Sequence, residues 1–181
     1  MANCKHISVN ATHFVENRMK NNALILRGFL GALVGIGIIG WLSTHLPPHW
    51  VLLIGSFGAS SVIVFAMPHT HAAQPKALLL GNLIGATIGV LIANFVPVEE
   101  WLAAALAVSG AIAVMALTDT THPPGGAAAL IAVHGTEGVA ESWYFVVAVF
   151  IGAVILGIVA FATHNIPGPG RVGYPLGKKE G

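Results

Sequence analysis

Ala116–His134 reads ALTDTTHPPGGAAALIAVH, and this stretch decides what kind of bundle the chain can make. Its first half is polar, with Asp119, Thr120, Thr121 and His122; its second half, from Pro124 to His134, is apolar. A helix needs roughly 20 apolar residues to cross the hydrocarbon of a bilayer, so the apolar part is about half a span. Pro123 and Pro124 lack backbone donors and drive the preceding residue away from helical backbone. A helix is therefore predicted to restart at or just after this pair. Thr120, Thr121 and His122 then lie in irregular backbone, and Gly125, Gly126, Ala127 and Ala128 form the first turn. Two readings follow. One is a half-helix whose N-terminus is buried in the bundle. The other is a tight polar hairpin on the inner surface, in which Asp119 or Thr121 caps the next helix and His122 is solvated. The shortness of the apolar remainder favours the half-helix.

The sequence around it belongs in a membrane. Of 181 residues, 55% are hydrophobic and 8% charged, whereas a soluble domain carries about 25% charged residues. The apolar runs must face lipid or one another. Ala23–Leu42, Val51–Met67, Ala77–Phe95, Leu102–Leu117 and Trp143–Thr163 each have the character of a span. With Thr118–His134 they predict an all-α membrane protein of about six transmembrane segments; five or four are the fallback counts. The first run is too long for the apolar part of a signal peptide and reads as a retained span. The organisation expected is a basic N-terminal tail over residues 1–22, a transmembrane domain over 23–163 and a C-terminal tail over 164–181.

Charge placement supports an even count. With the N-terminus inside, Lys5, Arg18, Lys20, Arg27, Lys76, Arg171, Lys178 and Lys179 all fall on the inner side, while Glu99, Glu100, Glu137 and Glu141 fall outside. This obeys the positive-inside rule, and Trp41, Trp50, Trp101 and Trp143 all land at the outer interface as lipid anchors. Both termini are expected in the cytoplasm, with the chain in a bacterial inner membrane. The net charge of +1 argues against a nucleic-acid partner, and the lone Cys4 excludes an intrachain disulfide.

Gly31 and Gly35 lie four apart, and Gly81, Gly85 and Gly89 form a tandem of the same spacing. Such strips let helix backbones approach closely. They exceed what a small bundle needs internally, and a homo-oligomer is expected on that ground. A weak repeat appears at an offset of 67 residues, aligning Gly58 with Gly125, Ile84 with Ile151, Gly85 with Gly152, Ala86 with Ala153 and Ile88 with Ile155. Each unit then holds three spans, and an odd count inverts the second unit. Transporters built from inverted repeats place their site at the repeat interface. The counterpart of the HPPGGAA run is Gly55–Ser61, GSFGASS, where Ser56, Ser60 and Ser61 bring hydroxyls into an apolar span.

The chemistry expected is anion binding without a fixed cation. A helix N-terminus carries unpaired N–H groups and about half a positive charge. Gly125 and Gly126 would leave those amides accessible, Thr120 and Thr121 would add hydroxyls, and His122, if protonated, would add charge. Asp119, the acid closest to the membrane interior, would cap or orient neighbouring donors, or carry a coupling proton. Asn82 and Asn94 read as interhelical hydrogen bonds. No convergent set of catalytic groups is evident, and no third ligand joins His69-x-His71 or Asp119-x-x-His122 at a metal's spacing, so neither an enzyme nor a metal or other cofactor is expected.

The THPPGGAAAL run, with IGSFGASSV and the following MPH, resembles the HPP family, named after that motif. The resemblance extends over roughly Arg27 to Thr163. Some relatives are described as nitrite transporters of plastids and cyanobacteria. The resemblance implies a transporter or channel for a small inorganic anion, with nitrite leading; charge alone does not separate nitrite from nitrate, sulfate or formate. The competing class is a membrane interaction or sensory module that transports nothing.

Overall fold

The structure, a computed structural model, describes residues 3–47, 54–135 and 143–176, with side chains from Asn21 onward. Trp50, the start of Val51–Met67, Glu137, Glu141, Lys178 and Lys179, and the side chains of Lys5, Arg18 and Lys20, lie outside the described residues. Six α-helices are described. α1 runs Asn3–His45, with its apolar part at Asn21–His45. α2 is Gly55–Ser61 and continues as a π-turn over Val62–Ala66. α3 is Pro75–Phe95, α4 Glu100–Leu117, α5 Pro123–His134 and α6 Trp143–Asn165. α1, α3, α4 and α6 are long and apolar enough to cross a membrane. α2 and α5 are short, and they fall where GSFGASS and HPPGGAA stand.

The order is therefore long, short, long, given twice. Shifting α2 with its π-turn by 67 residues lays them on 122–133, and α5 is Pro123–His134. Shifting α3 lays it on 142–162, and α6 is Trp143–Asn165. Packing obeys the same exchange. α3 packs on α4 as α6 packs on α1; α3 also packs tightly on α5, whereas its counterpart α6 touches α2 and its π-turn only lightly. α2 meets α5, and α3 meets α6, across the centre. The chain is thus two inverted three-helix units. The halves differ in closeness. A Cβ on Gly85 would lie 1.9 Å from the carbonyl oxygen of Gly125, backbone against backbone, whereas a Cβ on the matching Gly152 would meet the ring of Phe57 at 2.1 Å.

Both glycine strips are occupied inside the chain. Gly28, Gly31 and Gly35 receive Phe65, joined at Gly35 by Leu156; Gly81, Gly85 and Gly89 receive α5. These two strips are used for packing within the chain. Phe57, Leu78, Ala86, Ala128, Phe145 and Leu156 fill the centre. Phe29, Leu33, Phe95, Leu117 and Ile158 point outward, as a lipid-facing surface requires.

Contacts sort the helix ends into two faces. On one, Arg27 donates through Nη1 to the Thr163 carbonyl at 2.8 Å and through Nε to the Pro169 carbonyl at 3.0 Å. Lys76 Nζ donates to the Thr118 carbonyl at 2.9 Å, and the Tyr174 hydroxyl donates to the Ala73 carbonyl at 2.7 Å. The start of the apolar part of α1 and the end of α6 thus share a face, as an even number of passes demands. On the other face His134 pairs with Glu100. Arg27 fills the Thr163 carbonyl, which the last turn of α6 leaves without a helical partner, and ties down the Pro169 carbonyl beyond it. Arg27→Ala is expected to cost about 1–2 kcal/mol, the low end for charged hydrogen bonds because the site is partly exposed. A lower thermal midpoint in detergent and faster tryptic cleavage after Arg171 would register it.

Candidate functional site

α4 stops in a way its sequence conceals. Asp119 has φ +53°, the left-handed region where glycine usually sits. The Thr120 N–H donates to the Met115 carbonyl at 2.9 Å and the Asp119 N–H to the Ala116 carbonyl at 3.4 Å. This pair of bonds is the Schellman termination, with Asp119 in the glycine position. Its side chain is 79% exposed, with Oδ1 3.4 Å from His71 and Oδ2 3.7 Å from Lys76. Asp119 is therefore a rim residue on the basic face. It does not lie in the membrane interior, and it does not cap α5, whose N-cap is His122. Asp119→Gly is expected to leave stability unchanged or raise it by up to about 1 kcal/mol, because the left-handed strain outweighs two exposed ion pairs. A thermal melt checks this.

From the rim the chain turns inward. Thr120 is fully buried and its hydroxyl lies 2.7 Å from that of Thr118; Thr121 and Pro123 remain exposed. His122 is fully buried and lies against Gly81, where an added Cβ would come within 2.5 Å of the His122 Cβ. Gly81 is six residues into α3, so His122 sits about 9 Å beyond the start of that helix at 1.5 Å per residue. This is the buried half-helix; the surface-hairpin reading is excluded by the burial of His122.

Both ring nitrogens of His122 are engaged. Nδ1 lies 2.8 Å from the Ala72 carbonyl and Nε2 lies 2.9 Å from Ser60 Oγ. A carbonyl only accepts, so Nδ1 carries the hydrogen, and in the neutral ring Nε2 accepts from the Ser60 hydroxyl. Ser60 in turn accepts from Asn82 Nδ2 at 3.4 Å, and Asn82 also donates to the Leu78 carbonyl at 2.9 Å. Ser60, Asn82 and His122 are each fully buried. The two short helices thus meet at one polar chain.

That chain is incomplete. Ser56 Oγ, Ser61 Oγ and Asn82 Oδ1 are buried with no hydrogen-bond partner among the described residues. Ser56 stands one turn before Ser60, on the same face of α2. A buried polar atom without a partner costs free energy, and native structures keep few of them.

The α5 N-terminus differs from a bare anion cradle. Pro123 and Pro124 are its first two residues and have no N–H; the Gly125 N–H donates to the His122 carbonyl at 2.8 Å. No amide in the first three residues is left to a ligand. Gly125 serves packing instead: a Cβ there would lie 2.3 Å from the Gly81 carbonyl oxygen. Gly126 faces the other way. With Val108, Ile112, Met115, Thr121, Pro123 and Leu130 it lines an apolar groove of about 490 Å³ between α4 and α5.

Of the residues expected from sequence, the structure brings together His122, Ser60 and, through α2, Ser56. Ser61, the residue after Ser60, is also buried. Thr120 lies on the inward path, while Thr121, Pro123 and Gly126 border the groove. Asn82 makes the interhelical hydrogen bond expected of an amide in an apolar span, from α3 to Ser60 on α2. Ala72 escapes sequence reading, because it contributes only a backbone carbonyl, which no side chain announces. On the other flank of α2, His164 Nε2 donates at 3.0 Å to the Val64 carbonyl within the π-turn. Asn94 bonds within its own helix, to Val90.

Fold and site together define a multi-pass membrane protein with two inverted units crossing through short helices. The family model described as "HPP, transmembrane region" matches residues 17–175, and the chain belongs to that family. A transmembrane protein of Dictyostelium discoideum is 38% identical over 160 residues, covering 83% of this chain and 53% of the relative. A second transmembrane protein of that organism is 36% identical over 143 residues, covering 76% and 46%. The chain thus spans about half the length of these relatives. No solved structure matches it.

Proposed function

We propose that this chain carries a small inorganic anion, nitrite first, across the membrane through the crossing of α2 and α5. The observation that carries the reading is the polar chain at the crossing of the two short helices, in which Asn82 Oδ1 has no partner, with two further partnerless buried hydroxyls, Ser56 and Ser61, on α2. A small polar solute is what would complete it. Inverted repeats that meet at short or broken helices are a recurrent transporter plan, with the site at the repeat interface. The site is closed in this structure, since Ser56, Ser60, Asn82 and His122 are all fully buried. Passage then requires α2 or α5 to move. The positive-inside rule places the face bearing Arg27, Lys76 and Arg171 in the cytoplasm.

The test is uptake of nitrite into liposomes holding the purified chain. Saturable uptake above that of protein-free vesicles is expected. Correctly inserted protein that takes up no nitrite, nitrate or formate would remove the transport reading and leave a module that binds without moving solute.

A further inference from the structure

The polar chain at the helix crossing contains no fixed positive charge. Ser60, Asn82 and the Ala72 carbonyl meet His122, with Ser56 a turn away; no lysine or arginine contacts the chain among the described residues. The first turn of α5 has no amide to give, through its two prolines and the engaged Gly125 N–H. A bare anion in so buried a place would be uncompensated, and burying an uncompensated charge is very costly. Building on the transport reading above, we infer that the anion crosses together with one proton, so that the movement is electroneutral.

His122 is built to hold that proton. Its Nδ1–H stays on the Ala72 carbonyl in either charge state. Protonating Nε2 reverses the bond to Ser60: the ring now donates and Ser60 Oγ accepts. The Ser60 hydrogen is released, free to point at a ligand. No side chain has to move. The cluster changes from accepting to donating, and an imidazolium appears beside the solute. Should the proton ride on the anion instead, Asn82 Oδ1, an acceptor without a donor, suits the resulting O–H. In both cases one proton and one anion enter as a neutral pair and leave as one; the ring returns to its starting form.

Apart from His164, the other ionisable groups described on the surrounding elements stand at the faces. In the α2–α3 connection, His71 pairs with Asp119, and Lys76 at the start of α3 pairs with the same carboxylate. His69 lines a separate surface cavity with Arg171. His134 lies at the far end of α5 with Glu100. Arg27 bonds the end of α6, and His164, fully buried, donates to the Val64 carbonyl in the π-turn that continues α2. None of these is bonded to the Ser60–His122 pair.

The experiment uses the full chain in liposomes near neutral pH, with nitrite as the probe and protein-free vesicles subtracting the leak of nitrous acid. An acidic exterior is expected to accelerate uptake. A potassium diffusion potential imposed without a pH gradient is expected to leave the initial rate unchanged. The weakly buffered medium should lose one proton per nitrite. Uptake set by the potential, with no proton movement, overturns the inference but leaves the transport reading standing. No nitrite uptake under either gradient overturns both. His122→Gln keeps a donor for Ala72 and an acceptor for Ser60 but cannot be protonated. Its uptake should fall by about tenfold or more, the worth of one charged hydrogen bond, and lose its pH dependence. A His122→Gln variant with the original pH profile overturns the assignment of the proton to His122. If that variant does not fold, the gradient measurements on the unaltered chain still decide the stoichiometry.

Discussion

Gly125→Ala is expected to strip the folded protein from the membrane fraction, while Gly126→Ala leaves its yield and melting unchanged. The two glycines are neighbours on one short helix, yet their surroundings are opposite. A methyl on Gly125 would lie 2.3 Å from the Gly81 carbonyl oxygen and 2.8 Å from the Gly81 carbonyl carbon. Neither atom is the end of a flexible side chain. Relief requires α5 to move off α3, and the polar chain from His122 to Ser60 moves with it. Overpacking in a close-packed interior costs about 1–3 kcal/mol, and a rigid backbone neighbour puts this site at the upper end or beyond. A methyl on Gly126 finds only Val108 Cγ1, at 4.0 Å, an ordinary contact. Expression with a fluorescent tag and a thermal melt in mild detergent measure both. Equal behaviour of the two variants would contradict the packing described here.

His122→Ala is expected to abolish solute flux and also to weaken the fold. The ring is fully buried. Its loss leaves a void and strips partners from the Ala72 carbonyl and the Ser60 hydroxyl. Removing one member of a buried hydrogen bond costs about 1–3 kcal/mol for the group left behind, and the void adds to that. The comparison with Ser60→Ala separates the parts. That change removes one bond to His122 and a small volume, so its melting should fall by less. Both variants disconnect α2 from α5 and both should lose flux. Flux that survives in folded Ser60→Ala would show that the contact between the short helices is structural only.

Much of this was legible beforehand, for identifiable reasons. Hydropathy marks α3, α4, α6 and the apolar part of α1, because lipid tolerates little else over that length. The proline pair marks the start of α5, since it fixes both a missing donor and a backbone angle. The 67-residue offset, weak as a string of matched glycines and isoleucines, becomes plain in the element lengths and in which helix packs on which. What sequence could not show is direction. Gly125 and Gly126 look alike in a string, and only the position of α3 makes one a contact and the other a wall of a groove. Asp119 looks like an intramembrane acid because apolar runs flank its short polar segment on both sides. A left-handed turn puts it outside, and a turn of that kind leaves no compositional mark when glycine is absent. The free amide expected at Gly125 is taken up for a related reason: its first-turn bond to the His122 carbonyl depends on geometry that residue types do not specify.

The seam between α3 and α5 has a thermodynamic character of its own. Gly81, Gly85 and Gly89 face Gly125, Ala129 and Ala132, and none of the six has a side-chain rotamer to lose. Larger side chains such as leucine or isoleucine surrender roughly 0.5–1 kcal/mol of rotamer entropy each on being buried. This contact forms almost free of that cost, so its strength comes from dispersion between backbones held at close range. The same economy removes its tolerance. Without rotamers the seam has no alternative arrangement to adopt, and it cannot absorb added volume by repacking. It is either fully seated or apart, which makes the attachment of α5 to α3 an all-or-none contact.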